Sequence, residues 1–258
     1  MQIDCGVCVK DSNSNYHYLT GNMTGSLLAE FILSQTQVIP SNGFMVKSIV
    51  SSNLIDAIAN KYNVKLDKVL TGFKWIANKI LEYETNNTGK FIFGYEESIG
   101  FLTGDKVRDK DSIVALAVLT QALCYAKSMN KTLWDYLLDI YETYGYYVEN
   151  SNSISFPGIE GQEKMKKMMD SLRENPLKEV GKYKVNSVID YMLDTQTGLP
   201  KSNVIYYELE NNGWVCVRPS GTEPKIKFYF GLKGTSLENA ESIAGEFKIA
   251  LDELVKKL

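Results

Sequence analysis

The sequence predicts an α/β domain on a mainly parallel sheet, then an α+β domain on an antiparallel sheet, with a short hairpin and helix in front. From residue 44 to about 129, apolar strands alternate with helix-length amphipathic segments, the pattern of βαβ units. After a polar stretch at 149–155 the pattern changes to strands separated by turns, with helices at both ends, as in antiparallel α+β folds. A chain of 258 residues also exceeds one small domain, at roughly 100 to 200 residues each.

Each element has its own signal. Residues 6–10 read as an apolar strand, Asp11-Ser12-Asn13-Ser14-Asn15 as a turn, and 16–19 as the returning strand. Leu27, Leu28, Phe31 and Ile32 recur at helical spacing and predict a helix over 24–34, closed by Pro40 and Gly43. A hairpin with one helix is too small to stand alone, so 1–40 reads as the tail of a domain. The next domain, 41–148, alternates strand 44–50, helix 53–62, strand 65–70, helix 72–83, strand 90–93 and helix 111–128, and ends with a helix at 132–143. The last, 156–258, has a Lys/Met-rich helix at 162–174, strands at 183–191, 204–209, 213–217 and 225–230, and a helix at 237–258.

Composition excludes several classes of function. Hydrophobic residues at 44% and charged residues at 23% are the balance of an ordinary globular protein. With 28 Lys and Arg against 31 Asp and Glu, the net charge of −3 gives no electrostatic footprint for nucleic acid. The start has no basic, apolar signal pattern, and no run approaches the roughly 20 apolar residues of a membrane span, so a cytoplasmic protein is expected. Cys5 and Cys8 have C-x-x-C spacing, but neither a second such pair nor a His-x-x-x-His follows. The lone His17 lies in what reads as a polar turn. Small residues beside a strand account for the pair, and no metal site is expected.

Chemistry concentrates in the loops at the strands' carboxyl ends, where open α/β sheets bind ligands. Gly94-Tyr95-Glu96-Glu97-Ser98-Ile99-Gly100 sets two carboxylates side by side. In an extended stretch Glu96 and Ser98 share one side while Glu97 points away. That pairing suits neighbouring sugar hydroxyls, and a solvated acidic turn would look the same. Thr71-Gly72-Phe73-Lys74 offers a hydroxyl N-cap and a close-approach glycine at a helix start, where anions bind. In Arg108-Asp109-Lys110-Asp111, Asp111 is a natural N-cap, Arg108 or Lys110 could reach an anion, and two aspartates make a weak magnesium site. Arg218-Pro219-Ser220-Gly221-Thr222-Glu223-Pro224-Lys225 combines a guanidinium fork, hydroxyls and an unobstructed backbone. It is either an anion cradle or an ordinary turn, and a cradle requires Glu223 to face outward.

Together these loops resemble the α-D-phosphohexomutases, the phosphoglucomutases and phosphomannomutases. The matching stretches are 70–76, 93–104, 107–111 and 218–225, in the family's order across nearly the whole chain. The resemblance implies the end of domain 2 (1–40), a sugar-binding domain 3 (41–148) and a phosphate-binding domain 4 (156–258) of a four-domain enzyme. It implies that Glu96 and Ser98, with Thr71, Gly72 and Lys110, meet the sugar. Arg218, Ser220, Gly221 and Thr222 would hold the non-reacting phosphate. The activity it implies is interconversion of hexose 1-phosphate and hexose 6-phosphate through a bisphosphate and an enzyme phosphoserine, with magnesium and glucose 1,6-bisphosphate as activator. Glu-Glu-Ser differs from the Gly-Glu-Gln-Ser-Gly-His that the aminosugar branch resembles, leaving gluco, manno or pentose phosphates as substrates.

The departures bear on activity. The family's Thr-Ala-Ser-His-Asn-Pro phosphoserine loop has no counterpart here, and no Ser-His pair occurs in the chain. Where the family has its Asp-x-Asp-x-Asp-Arg magnesium loop, this chain has Asp4 alone. The chain is therefore expected to bind phosphosugar without catalysing, its partners being the missing N-terminal domains. The alternative is a non-catalytic phosphosugar-binding module with a regulatory or partner role.

Overall fold

The computed structural model describes residues 4–158, 160–194, 196–221 and 223–256, and the chain forms two compact units, Met1–Gly145 and Tyr146–Leu258. The first begins with a hairpin of β1 (Val7–Lys10) and β2 (Tyr16–Leu19), paired Val7 to Leu19 through Lys10 to Tyr16. Its turn is built on Asp11, whose Oδ1 accepts the backbone N–H of Asn13 and of Asn15 at 2.9 and 2.8 Å. His17 is on β2 and not in the turn. Its Nε2 lies 3.0 Å from Asp11 Oδ2, and its ring stacks on Trp134 at 3.9 Å. Helix α1 (Gly21–Gln35) starts earlier than its apolar spacing suggests, because the Thr20 hydroxyl caps it by accepting Met23 N–H at 3.2 Å. Nearly all of α1 is buried in this unit, polar Asn22, Thr24, Ser26 and Glu30 included.

Four strands make the central sheet: β3 (Gly43–Ser48), β4 (Lys65–Val69), β5 (Lys90–Glu96) and β6 (Gly100–Thr103), in the order β4-β3-β5-β6. The pairings β3–β4 and β3–β5 are parallel, and β6 returns antiparallel on β5. Every residue of β3 is buried, as expected for a central strand covered on both faces. The crossovers are α2 (Leu54–Lys61) and α3 (Phe73–Asn86). On α3, Phe73, Ile76, Ile80 and Tyr83 pack with Phe44, Val46, Val69 and Leu102, at about 1.5 to 3 kcal/mol for each large side chain buried. Then come α4 (Ser112–Ser128) and α5 (Leu133–Tyr144), the latter started by a Thr132–Asp135 capping box.

The second unit is a six-stranded antiparallel sheet. Its strands are β7 (Tyr146–Ser155), β8 (Glu179–Val180), β9 (Tyr183–Asp190), β10 (Ile205–Leu209), β11 (Trp214–Pro219) and β12 (Lys225–Gly234). Helices α6 (Gly161–Glu174) and α7 (Leu237–Val255) cover it, burying Met168, Met169, Leu172, Phe247 and Leu251 with Phe228 and Phe230. The polar residues 149–155, read from sequence as a connection between domains, lie inside β7 and pair with β12 along its length. No single helix among the described residues is long and apolar enough to cross a membrane.

Candidate functional site

In the first unit, three loops leave the carboxyl ends of β3, β4 and β5. The segment after β4 reaches α3 through Gly72, which has φ +116°, a conformation that L side chains rarely adopt. The helix therefore begins at a glycine with no capping side chain, and Thr71 is not the N-cap that its sequence position suggests. The carboxylate of Glu96, 6% exposed at the end of β5, supplies the missing acceptor and takes the Gly72 N–H. An anion at a helix N-terminus is favourably placed, so Glu96 stays with α3 although its neighbour is also acidic.

The Glu-Glu-Ser sequence does not run on as an extended strand. Glu96 pairs with Gly100 across β5 and β6, and residues 97–99 form the turn, with Ile99 at φ +51°. The expected alternation therefore ends at Glu96. Ser98 is exposed at the turn, and Glu97 reaches back to β3, where its Oε2 accepts Ser48 Oγ at 3.0 Å. Ser48 Oγ is also 2.9 Å from Ser51 Oγ. At the start of α1, a Cβ on Gly21 would collide with the Glu97 carbonyl, and Cys5 N–H donates to Ile99 O at 3.3 Å. The turn is thus held by the ends of β3 and α1 and by the N-terminal segment.

Lys110 completes this cluster. A Cβ on Gly100 would lie 2.9 Å from its Cδ, and its Nζ is 2.5 Å from Asp4 Oδ1. Thr71-Gly72, Glu96 and Lys110 are thereby brought to one end of the sheet. Arg108 is committed elsewhere, its Nη2 donating to both carboxylate oxygens of Glu84 at 2.6 and 2.7 Å. Asp111 caps α4 by accepting Ile113 and Val114 N–H at 3.0 and 3.1 Å.

Sequence reasoning overlooked Lys47. Only 1% exposed on β3, it donates to the Ser51 and Ser52 carbonyls at 3.3 and 2.9 Å, to Asn53 Oδ1 at 3.0 Å and to Asp56. Burial pushes the Asp56 carboxyl up, but Lys47 and Lys68 outweigh that and hold it below its ordinary value. A lysine inside an otherwise apolar central strand was the available signal, because buried lysines are almost always paired.

In the second unit, Arg218 and Pro219 are not loop residues. They end β11, and Arg218 stands directly opposite Lys227 on β12. Like charges in that relation are destabilising by themselves. Neither has a carboxylate within ion-pair distance among the described residues, whereas Lys225 is neutralised by Glu223. The Lys225 hydrogen bond holds the Glu223 carboxyl below its ordinary value. Ser220 N–H closes the hairpin on Lys225 O at 2.8 Å, and the space around Gly221 is open. Thr222 lies outside the described residues. Lys227 also draws on the Glu223 carboxylate, more weakly than Lys225 does, so this strand end keeps an excess of positive charge beside an accessible backbone and can receive an anion.

Among the described residues no group of three or more His, Cys, Asp or Glu side chains is placed to hold a metal ion. Asp4 faces Lys110, so the residues present do not form a magnesium donor set. Cys5 is half-buried with its thiol pKa raised by burial, and Cys8 is exposed on β1.

Residues 20–144 match phosphoglucomutase/phosphomannomutase, alpha/beta/alpha domain III, and residues 167–249 match the C-terminal domain of the same family. The phosphoglucomutases of Staphylococcus aureus strains MSSA476 and MRSA252 are 38% identical over 238 residues, which is 88% of this chain and 42% of theirs. The chain thus spans less than half the length of these relatives. Among solved structures, pp63/parafusin from Paramecium is similar over 91% of this chain and 41% of its own, with TM-score 0.65 and 19% identity. A phosphomannomutase-like protein from Thermus thermophilus is similar over 99% and 47%, with TM-score 0.62 and 15% identity. At such identities the two structures speak for the fold.

Proposed function

This chain belongs to the phosphoglucomutase/phosphomannomutase family, and on that premise we propose that it supplies the substrate recognition of a hexose phosphate mutase. In this reading the first unit meets the sugar through Glu96, Ser98, Thr71, Gly72 and Lys110. The second holds the phosphate that is not being transferred, through Arg218, Ser220, Gly221 and Thr222. The observation that carries the reading is the facing pair Arg218 and Lys227 at an open strand end, neither of them in an ion pair among the described residues. A phosphate dianion would turn their repulsion into two charge-assisted contacts.

The division of labour fits the chemistry. A mutase that passes through a bisphosphate must accept its sugar in two flipped orientations, so one anchor grips phosphate at either end while another reads hydroxyls. Glu96 accepts from hydroxyls, and its bond to Gly72 keeps the carboxylate fixed before substrate arrives. The phosphoryl donor and the magnesium that would supply electrostatic stabilisation belong to domains outside this chain. By itself the chain binds and does not turn over.

Titration of the isotope-labelled chain with glucose 1-phosphate and glucose 6-phosphate tests this. Amide shifts are expected at Ser220 and Gly221 with both ligands, and at Gly72 and Glu96 as the hydroxyls engage. Inorganic phosphate should move the first pair only. Spectra unchanged at millimolar ligand would remove the reading.

A further inference from the structure

The first turn of α1, which precedes the stretch whose apolar spacing predicts a helix, lies against the end of β5. Gly21 and Gly25 stand one turn apart on the same face of the helix. A Cβ on Gly21 would collide with the Glu97 carbonyl, and one on Gly25 with the Tyr95 ring, so the missing side chains permit the approach. Next to Gly21 comes Asn22, a polar residue buried in the same contact.

The side-chain oxygen of Asn22 accepts from two buried donors on different elements. Ser52 N–H, in the loop between β3 and α2, donates to Asn22 Oδ1 at 3.0 Å, and the Tyr95 hydroxyl, on β5, donates at 3.3 Å. Both donors lead to the acidic loop. Successive side chains of a strand take opposite faces, so Tyr95 turned to α1 puts Glu96 on the side of α3, where it meets Gly72. Ser52 follows Ser51, whose Oγ lies 2.9 Å from the Ser48 Oγ that donates to Glu97.

We propose that Asn22 is a positioning residue for sugar recognition. Its oxygen ties the loop after β3 to Tyr95, and through these two it keeps Glu96 on Gly72 and Glu97 on Ser48. A carboxamide suits the task, because it accepts two hydrogen bonds without setting a third negative charge beside Glu96 and Glu97. Asn22 itself touches no sugar. Its hold on Glu96 needs no ligand, whereas its bearing on sugar binding rests on the function proposed above.

Amide hydrogen exchange on the isotope-labelled chain, without ligand, tests the hold. In Asn22→Ala, Gly72 N–H should exchange about tenfold faster or more when referred to Val46, an amide inside β3 that reports opening of the whole sheet. Tyr95→Phe removes one of the two donors and should move the same ratio less far. The double variant should fall short of the product of the single effects, since both changes cut one network. Ile140→Val, in the core on α5, is the control for destabilisation alone and should leave the ratio within about twofold. In a titration with glucose 1-phosphate, Asn22→Ala should weaken the response of Gly72 and Glu96 about tenfold or more, while inorganic phosphate moves Ser220 as in the wild type. A ratio in Asn22→Ala no higher than in Ile140→Val overturns the proposal, and if Asn22→Ala does not fold, Tyr95→Phe decides by the same comparison. A raised ratio in a chain whose wild type shows no glucose 1-phosphate response keeps the hold on Glu96 and discards the sugar reading. An undiminished sugar response at Gly72 in Asn22→Ala keeps the sugar reading and discards the positioning role.

Discussion

Arg218→Ala separates binding from folding in the second unit. Arg218 faces Lys227 across an antiparallel pair, where Cβ atoms are about 5 Å apart. Two unit charges at about 5 Å repel by roughly 0.8 kcal/mol in water, and screening with longer side-chain reach reduces this to a few tenths. Truncation also removes packing of a half-buried aliphatic stem, a loss of similar size. The net change in stability is therefore within about 0.5 kcal/mol, or about 4 °C in the midpoint for a domain near 100 residues. Phosphate binding should fall much further, because a hydrogen bond to a charged group contributes roughly 1.5 to 3 kcal/mol, a factor of about 10 to 150. Thermal melts of both proteins at low and high salt, beside a glucose 1-phosphate titration, read the two quantities separately. Added salt should stabilise the wild type slightly more than the variant, since only the wild type has repulsion to screen. A midpoint lowered by more than about 8 °C with affinity unchanged would make the arginine structural and refute the anchor.

Other outcomes follow from the first unit. Glu96→Ala strips the Gly72 N–H of its acceptor and should cost roughly 1.5 to 3 kcal/mol in denaturant melts, whereas Glu96→Gln retains an acceptor and should cost under about half of that. In an enzyme containing all the family's domains, Glu96→Gln should lower activity on glucose 1-phosphate about tenfold or more, near 1.4 kcal/mol, and unchanged kinetics would remove Glu96 from the site. Gly21→Ala drives a Cβ into the Glu97 carbonyl and should destabilise by about 1 to 3 kcal/mol, while Gly245→Ala, in open space on α7, should stabilise by roughly 0.5 to 1 kcal/mol. The Asp11 carboxyl is lowered from 3.8 to about 2, chiefly by its hydrogen bond to His17. A carboxyl with a depressed folded pKa stabilises above its unfolded value and loses that contribution as pH falls, so the hairpin should loosen between pH 4 and 2. Amide exchange at Asn13 and Asn15 that stays flat across that window would contradict the assignment. The chain alone, given magnesium and glucose 1,6-bisphosphate, should show no mutase turnover, and turnover free of host enzyme would sink that expectation.

Elements defined by their own residues were legible in the sequence. The apolar run of β3 and the 3.6-residue spacing on α3 each report burial directly, because the side chains that pack are the ones that set the pattern. Strand β7 was not legible. It lies at the sheet edge, where β12 is its one strand neighbour among the described residues, and its residues 149–155 are polar because half of them face solvent. A polar edge strand and a polar linker have the same composition, and the pairing that separates them joins residues far apart in the chain, Ser155 with Lys225 and Glu149 with Gly231.

The same limit explains the acidic loop. Alternation along an extended strand assigns Glu96 and Ser98 to one side and leaves Glu97 without a task. What breaks the alternation is a positive φ at Ile99, a β-branched residue that no turn preference would place there. It is sustained by contacts from elsewhere, with Ser48 on the Glu97 carboxylate, Gly21 against its carbonyl and Cys5 on the Ile99 carbonyl. Two adjacent glutamates thus take opposite duties. Glu96 lies at a helix start where a ligand could meet it, and Glu97 holds the turn that presents Ser98. The residue types of this loop could be read from the sequence, but which of them support the turn and which are left at its surface is written in the tertiary packing.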